Sequence, residues 1–239
     1  VRQAVNDARR NYAQVNLVQI NNLSGNILNG ILTLQYRNYP NQPALRMGIG
    51  INANLGEYAI AANLNNVLRA GRGNYYNIPN NITLQNVRGN GECFYRAFLN
   101  GLGFNIANRN FGFNPIGIDG LVNQLKQLIN SFIILCLQNT VNPPCTIRVM
   151  AAIQHLINHE RSLANYINNS SRVGYYGGTE EAEILSAIFN INIVQVSIAG
   201  ASPQLPLFSV NTRGGIDQQI GTVYLFHTGG HYYSILPRN

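Results

Sequence analysis

Lysine is almost missing from this sequence: of sixteen basic residues, Lys126 is the one lysine and the rest are arginine. Charge of either kind is sparse, with 10% charged residues and a net charge of +7. There is no dense Lys/Arg run and no RNP-type aromatic motif, which argues against a dedicated nucleic-acid binder. Weak, salt-sensitive RNA binding driven by the +7 charge stays as a subordinate reading. Cysteine is scarce too. Cys93, Cys136 and Cys145 leave one thiol unpaired in any disulfide scheme, so reducing, cytosolic conditions are expected. No run of about eighteen apolar residues occurs, so no membrane span is expected. No charged-then-apolar leader follows Val1, so no secretory signal is expected, and the start without Met fits a fragment or trimmed numbering.

What is present is enough for one substantial core. The chain has 239 residues, 46% of them hydrophobic. Residues 1–16 place an apolar residue every three or four positions and predict a first helix. The Asn/Ser/Gly cluster at 21–25 predicts a break, 31–36 a strand, 38–43 a turn, 55–68 a helix and 69–80 a loop. A boundary near residue 80 separates this N-terminal extension from residues 81–239. Beyond it, helix and strand alternate. A short helix starts at Cys93, a second runs from a cap at Asp119 to Gln138, and a third covers 146–166. Thr179 caps a fourth, with Glu180 and Glu181 in its first turn. Strands are expected at 191–198, 221–227 and 232–236, the last two joined through Thr228-Gly229-Gly230. The sum is an α/β (α+β) fold with a small central β-sheet packed between helices. Cys136, inside the most apolar helix, reads as a small core residue.

Two segments carry chemistry. In Gly89-Asn90-Gly91-Glu92-Cys93-Phe94-Tyr95-Arg96-Ala97, two glycines permit a sharp turn with exposed N–H groups, leading straight into a helix headed by the cysteine. A helix N-terminus stabilises thiolate, and the same amides suit an oxyanion. A buried, inert cysteine is the rival reading. In His227-Thr228-Gly229-Gly230-His231-Tyr232-Tyr233-Ser234-Ile235, His231 starts a strand after a glycine turn, at a sheet edge where it can take a proton from a helix-borne thiol. Metal binding competes for the histidines. His155 and His159 sit four apart on a helix but lack the glutamate that follows the first histidine in zinc proteases, and no cysteines pair at ligand spacing. No metal or cofactor is expected, and His155, His159 and His227 read as solvent-facing or capping.

Gly89-Asn90-Gly91-Glu92-Cys93-Phe94-Tyr95-Arg96 resembles the Gly-Asp-Gly-Asn-Cys-Leu-Phe-Arg block of OTU (ovarian-tumour) cysteine proteases. His231-Tyr232-Tyr233-Ser234-Ile235 resembles their terminal His-Tyr-x-Ser-Val block. Between them, Tyr176-Gly177-Gly178-Thr179-Glu180-Glu181 and the following helix and strand are similar to the family's Trp-Gly-Gly-x-x-Glu-Leu helix. The three blocks come in the family's order and cover roughly residues 82–237. The resemblance implies a papain-like OTU fold and a thiol isopeptidase that removes ubiquitin or a ubiquitin-like modifier. In it Cys93 attacks, His231 serves as base and then acid, and the backbone of Asn90, Gly91 and Glu92 holds the oxyanion. Tyr232, Tyr176 and Gly177 would line the channel for a Gly-Gly tail.

The family's orienting acid, three residues before the cysteine or two after the histidine, is replaced by Asn90 and Tyr233. Asn90 is preferred narrowly as the third residue, since an amide oxygen can accept from an imidazole, with Glu57 as the upstream alternative. Glu181 reads as helix-start electrostatics and Glu183 as part of a solvated face. Alternative functions are a viral protease that cuts its own polyprotein, and a silent ubiquitin-binding module. A viral or bacterial effector acting on host conjugates fits the divergent motifs. A protein working among ubiquitin ligases also gains from lacking acceptor amines, with codon drift as the rival explanation for the missing lysines. Linkage preference and oligomeric state are not encoded in any motif.

Overall fold

A computed structural model describes residues 2–34, 82–108, 111–139, 145–199, 207–214, 221–227 and 230–237. Glu57, the turn at 38–43, the helix at 55–68 and the loop at 69–80 lie outside the described residues. Among the described residues there are seven helices and five strands: α1 (Arg2–Asn11), α2 (Leu17–Leu32), β1 (Ile82–Gln85), α3 (Cys93–Ala107), α4 (Ile118–Gln138), α5 (Ile147–His159), α6 (Leu163–Ser170), α7 (Thr179–Phe189), β2 (Asn192–Ala199), β3 (Leu207–Gly214), β4 (Thr222–His227) and β5 (Tyr232–Pro237). The architecture is α/β.

The strands form one mixed sheet in the order β1-β5-β4-β2-β3. β2 and β4 run parallel, and the other neighbours are antiparallel. Alternation divides the buried side chains of the sheet. Ile193, Val223, Leu225 and Tyr232 join the main core, while Val194, Val196, Phe226 and Ile235 form a second, smaller cluster. Helix α3 packs on β4 and β5, and α7 on β2 and β3. The Ser234 hydroxyl donates to the Ala97 carbonyl at 2.8 Å, pinning β5 to the first turns of α3.

The N-terminal segment departs from its sequence pattern. Residues 21–25, expected as a break, lie inside α2, and Ile31 and Leu32, expected to open a strand, end the same helix. Asn16 and Gln19 supply a capping box, with bonds of 3.0 and 2.9 Å. Ile20, Ile27 and Ile31 form a buried stripe. A cap at one end and a stripe burying about 1.5–3 kcal/mol per isoleucine outweigh the weak helix propensity of Asn, Ser and Gly. At Gly30 a Cβ would press on the Leu121 side chain, so glycine lets α2 cross α4 closely.

Helix α4 is long and apolar enough to cross a membrane by length and composition; here most of it is buried inside the fold. It begins at Gly117, not at a cap from Asp119, whose carboxylate instead holds Arg96. Its last residue, Gln138, donates to the carbonyls of Ala8 and Ala13 at 3.1 and 3.0 Å and accepts from the Val15 N–H at 3.0 Å. That one amide ties the end of α1 to the core helix.

The single helix expected over 146–166 is two. Thr146 caps α5, the backbone turns at Arg161 (φ 68°), and the Ser162 hydroxyl accepts the Asn165 N–H at 3.1 Å to start α6. A serine N-cap three residues after His159, the last residue of α5, makes a new start cheaper than continuing. Strands β1 and β3 were not anticipated. The alternation Ile82-Thr83-Leu84 was the available signal for β1.

Candidate active site

The turn at 89–92 is shaped by Gly91, whose φ of 85° favours glycine and where a Cβ would overlap the Gly174 carbonyl. The Asn90 amide oxygen accepts the Glu92 N–H at 3.4 Å, and its Nδ2 donates to Glu92 Oε2 at 3.1 Å. Helix α3 begins at Cys93, as its position after the glycine turn predicts. Glu92 occupies the cap position without capping; its carboxylate turns inward to Lys126 (2.7 Å) and Arg96 (3.2 Å). Burial alone would raise the Glu92 carboxyl, but the hydrogen bond and charge of Lys126, then Asn90 and Arg96, hold it below its ordinary value. Cys93 is 3% exposed, set at the head of a helix whose first N–H groups have no partner within the helix.

His231 faces this turn: a Cβ on Gly89 would sit 3.4 Å from its Cε1 and Nδ1. The next residue on each side seals the approach, with Phe94 and Tyr232 packed edge to face at 5.3 Å between centroids. Nε2 of His231 lies 2.9 Å from the Asn86 side-chain oxygen. An amide oxygen only accepts, so the tautomer with its proton on Nε2 is the one that satisfies this contact, and in it Nδ1 is the basic nitrogen of the neutral ring. Burial lowers the His231 pKa, and a hydrogen bond with the Val87 backbone opposes that shift.

Asn86, not Asn90, is the asparagine whose side chain contacts the imidazole. Asn90 spends its side chain on Glu92, whereas Asn86 follows the last paired residue of β1, Gln85, which lies opposite Ser234 of β5. No local motif marks Asn86. Strand pairing across 145 positions brings it to His231.

The remaining expected site residues differ in burial. Tyr232, expected in the channel, is buried, stacked on His227 at 4.3 Å and packed on Phe94. Gly177 lies against Phe94 and Tyr95, where a Cβ would collide with both. Tyr176 beside it is 71% exposed. Glu181 is buried and accepts the Gly178 N–H at 2.9 Å, which makes Gly178 the cap position in place of Thr179. Desolvation pushes the Glu181 carboxyl up to about 7 against the Gly178 N–H, which lowers it. Glu183 is also buried and faces Arg148 at 3.5 Å, not a solvated face. His155 is exposed and pairs with Glu180 at 2.9 Å.

No family model matches the sequence, and no curated protein matches it. Among solved structures the chain is similar to OTU domains. An OTU deubiquitinase from Wolbachia pipientis wMel bound to ubiquitin is 18% identical, covering 67% of this chain and 99% of that one, with a TM-score of 0.45. The Hazara virus OTU bound to ubiquitin is 16% identical, covering 66% and 83%, with a TM-score of 0.43. The viral OTU domain protease from Dera Ghazi Khan virus is 21% identical, covering 66% and 83%, with a TM-score of 0.42.

Proposed function

We propose that this chain is a thiol isopeptidase of the OTU kind that removes ubiquitin or a ubiquitin-like modifier from its conjugates. The observation that carries the reading is the His231 Nε2 contact with Asn86, 2.9 Å, beside a turn that delivers Cys93 at the head of α3. It completes a Cys-His-Asn set of the sort papain-type proteases use. Nδ1 of His231 takes the Cys93 proton, and the thiolate attacks the carbonyl carbon of the modifier's last glycine. Backbone N–H groups of the Gly91–Cys93 turn stabilise the oxyanion. Collapse of the tetrahedral intermediate breaks the C–N bond, and the imidazolium donates its proton to the leaving lysine amine. Water, deprotonated by the same imidazole, then hydrolyses the thioester. Exposed Tyr176 and Val173 border the approach from the loop that abuts the turn.

A ubiquitin probe with an electrophilic C-terminus tests this. Covalent capture that disappears in Cys93→Ala and His231→Ala is the expected result. Tight binding without capture would make the chain a silent binding module, and repeating the assay with ubiquitin-like modifiers identifies the preferred one.

A further inference from the structure

The one lysine of the chain is 2% exposed and lies beneath the catalytic turn. Its Nζ donates to Glu92 Oε1 at 2.7 Å and to the Arg172 carbonyl at 2.8 Å, and sits 5.3 Å from the Tyr95 ring centroid. Glu92 belongs to the turn that precedes Cys93. Arg172 opens the segment that carries Gly174, whose carbonyl lies where a Cβ on Gly91 would sit, and Gly177, packed on Phe94 and Tyr95. The same segment exposes Val173, just before Gly174, and Tyr176, just before Gly177.

We infer that Lys126 is a positioning residue that clamps the Asn90–Cys93 turn to the 172–177 segment, setting the aim of the oxyanion-binding amides. The inference rests on the isopeptidase reading and adds a residue to it. Three observations converge. The ammonium joins a carboxylate on one piece to a backbone carbonyl on the other, which no neutral side chain of this length does with two charge-assisted donors. Arg96 also reaches Glu92, at 3.2 Å, but its other partners, Asn114 and Asp119, lie away from the 172–177 segment, so Arg96 holds the turn without joining the two pieces. And a chain that uses arginine everywhere else keeps lysine where a compact, tetrahedral charge with three donors is required.

Clamping the turn affects steps that develop an oxyanion and spares those that do not. Acyl transfer needs the amides aimed at the carbonyl oxygen; alkylation of the thiol by iodoacetamide displaces iodide and forms no oxyanion. Removing Lys126 alone would leave Glu92 less neutralised, so the informative variant is the charge-balanced Glu92→Gln/Lys126→Met, with Lys126→Met and Glu92→Gln alongside. With a fluorogenic ubiquitin amide, the double variant is expected to lose at least tenfold in kcat with KM within threefold of the parent. Its rate of Cys93 alkylation by iodoacetamide should also stay within threefold. An unchanged kcat in the folded variant overturns the clamp, and so does alkylation that changes in step with kcat, which indicates general loosening. If the double variant does not fold, the same ratios measured on Glu92→Gln decide. If the parent chain leaves ubiquitin amides uncut, the isopeptidase reading fails by itself. The clamp is then judged by acylation with p-nitrophenyl acetate, which needs the oxyanion site but no modifier.

Discussion

At the scale of single residues, the site is a division of labour between two asparagines. Asn86 holds His231 and Asn90 braces Glu92. Asn86→Ala should lower kcat about 10- to 100-fold, since a neutral orienter stabilises imidazolium less than a carboxylate, while thermal stability changes little. Asn90→Ala should cost only a few-fold. Equal effects from the two substitutions on the ubiquitin amide would remove Asn86 from the site.

Glu181 makes a second residue-scale prediction, and its sign follows from the direction of the shift. Its carboxyl sits near 7 in the fold against 4.5 as an ordinary value, so between those pH values the folded protein keeps a proton that the unfolded chain releases. Stability from this group is complete below about pH 4.5 and is lost as pH rises through 7. In Glu181→Gln the amide still accepts the Gly178 N–H but does not titrate. Thermal melts across pH 4.5–8 should show the parent losing Tm relative to the variant as pH rises; parallel curves would contradict the buried, protonated carboxyl.

At the scale of elements, helix starts decide most of what was read or misread. The start of α3 at Cys93 was legible because glycines on both sides of Asn90 break the chain just before an apolar run. The starts of α4 and α7 were legible to within two residues and one residue respectively: Asp119 and Thr179 look like caps, but α4 is capped at Gly117 while Asp119 holds Arg96, and Glu181 reaches back to Gly178. The split between α5 and α6 was signalled by Ser162, which a single periodic pattern over 146–166 conceals. Across elements, Gln138 fastens α1 to α4 through bonds to Ala8, Ala13 and Val15. Gln138→Ala should destabilise the fold by about 2–4 kcal/mol, because several buried backbone groups lose their partner together. Chemical denaturation checks this, and a change under 1 kcal/mol would show that α1 is held by its apolar stripe alone.

At the scale of the whole molecule, residues 2–34 share the main core with the segments that carry the site. Ala4, Ala8, Ile20, Ile27 and Ile31 are buried in the same cluster as Leu121, Val122, Leu125 and Cys93. Three isoleucines at about 1.5–3 kcal/mol each approach the whole stability of a typical domain. A chain starting at residue 81, where composition suggested a boundary, is therefore expected to lose cooperative unfolding. A sharp thermal transition in that truncated chain would show residues 81–239 folding alone.

The sequence by itself determined the setting of Cys93, that of His231 and the family resemblance, because each is written locally: a glycine turn, a helix head, a strand-edge histidine. It also determined that helices and strands alternate after residue 80. Only the tertiary structure decided which side chain meets the His231 ring. An orienting group needs no motif of its own; it needs the β1–β5 register, which places the residue after Gln85 beside a histidine 145 positions away. The same holds for Lys126. Its rarity was visible in the composition, but its place under the catalytic turn depends on how α4 packs beneath α3, a long-range contact that no local pattern records.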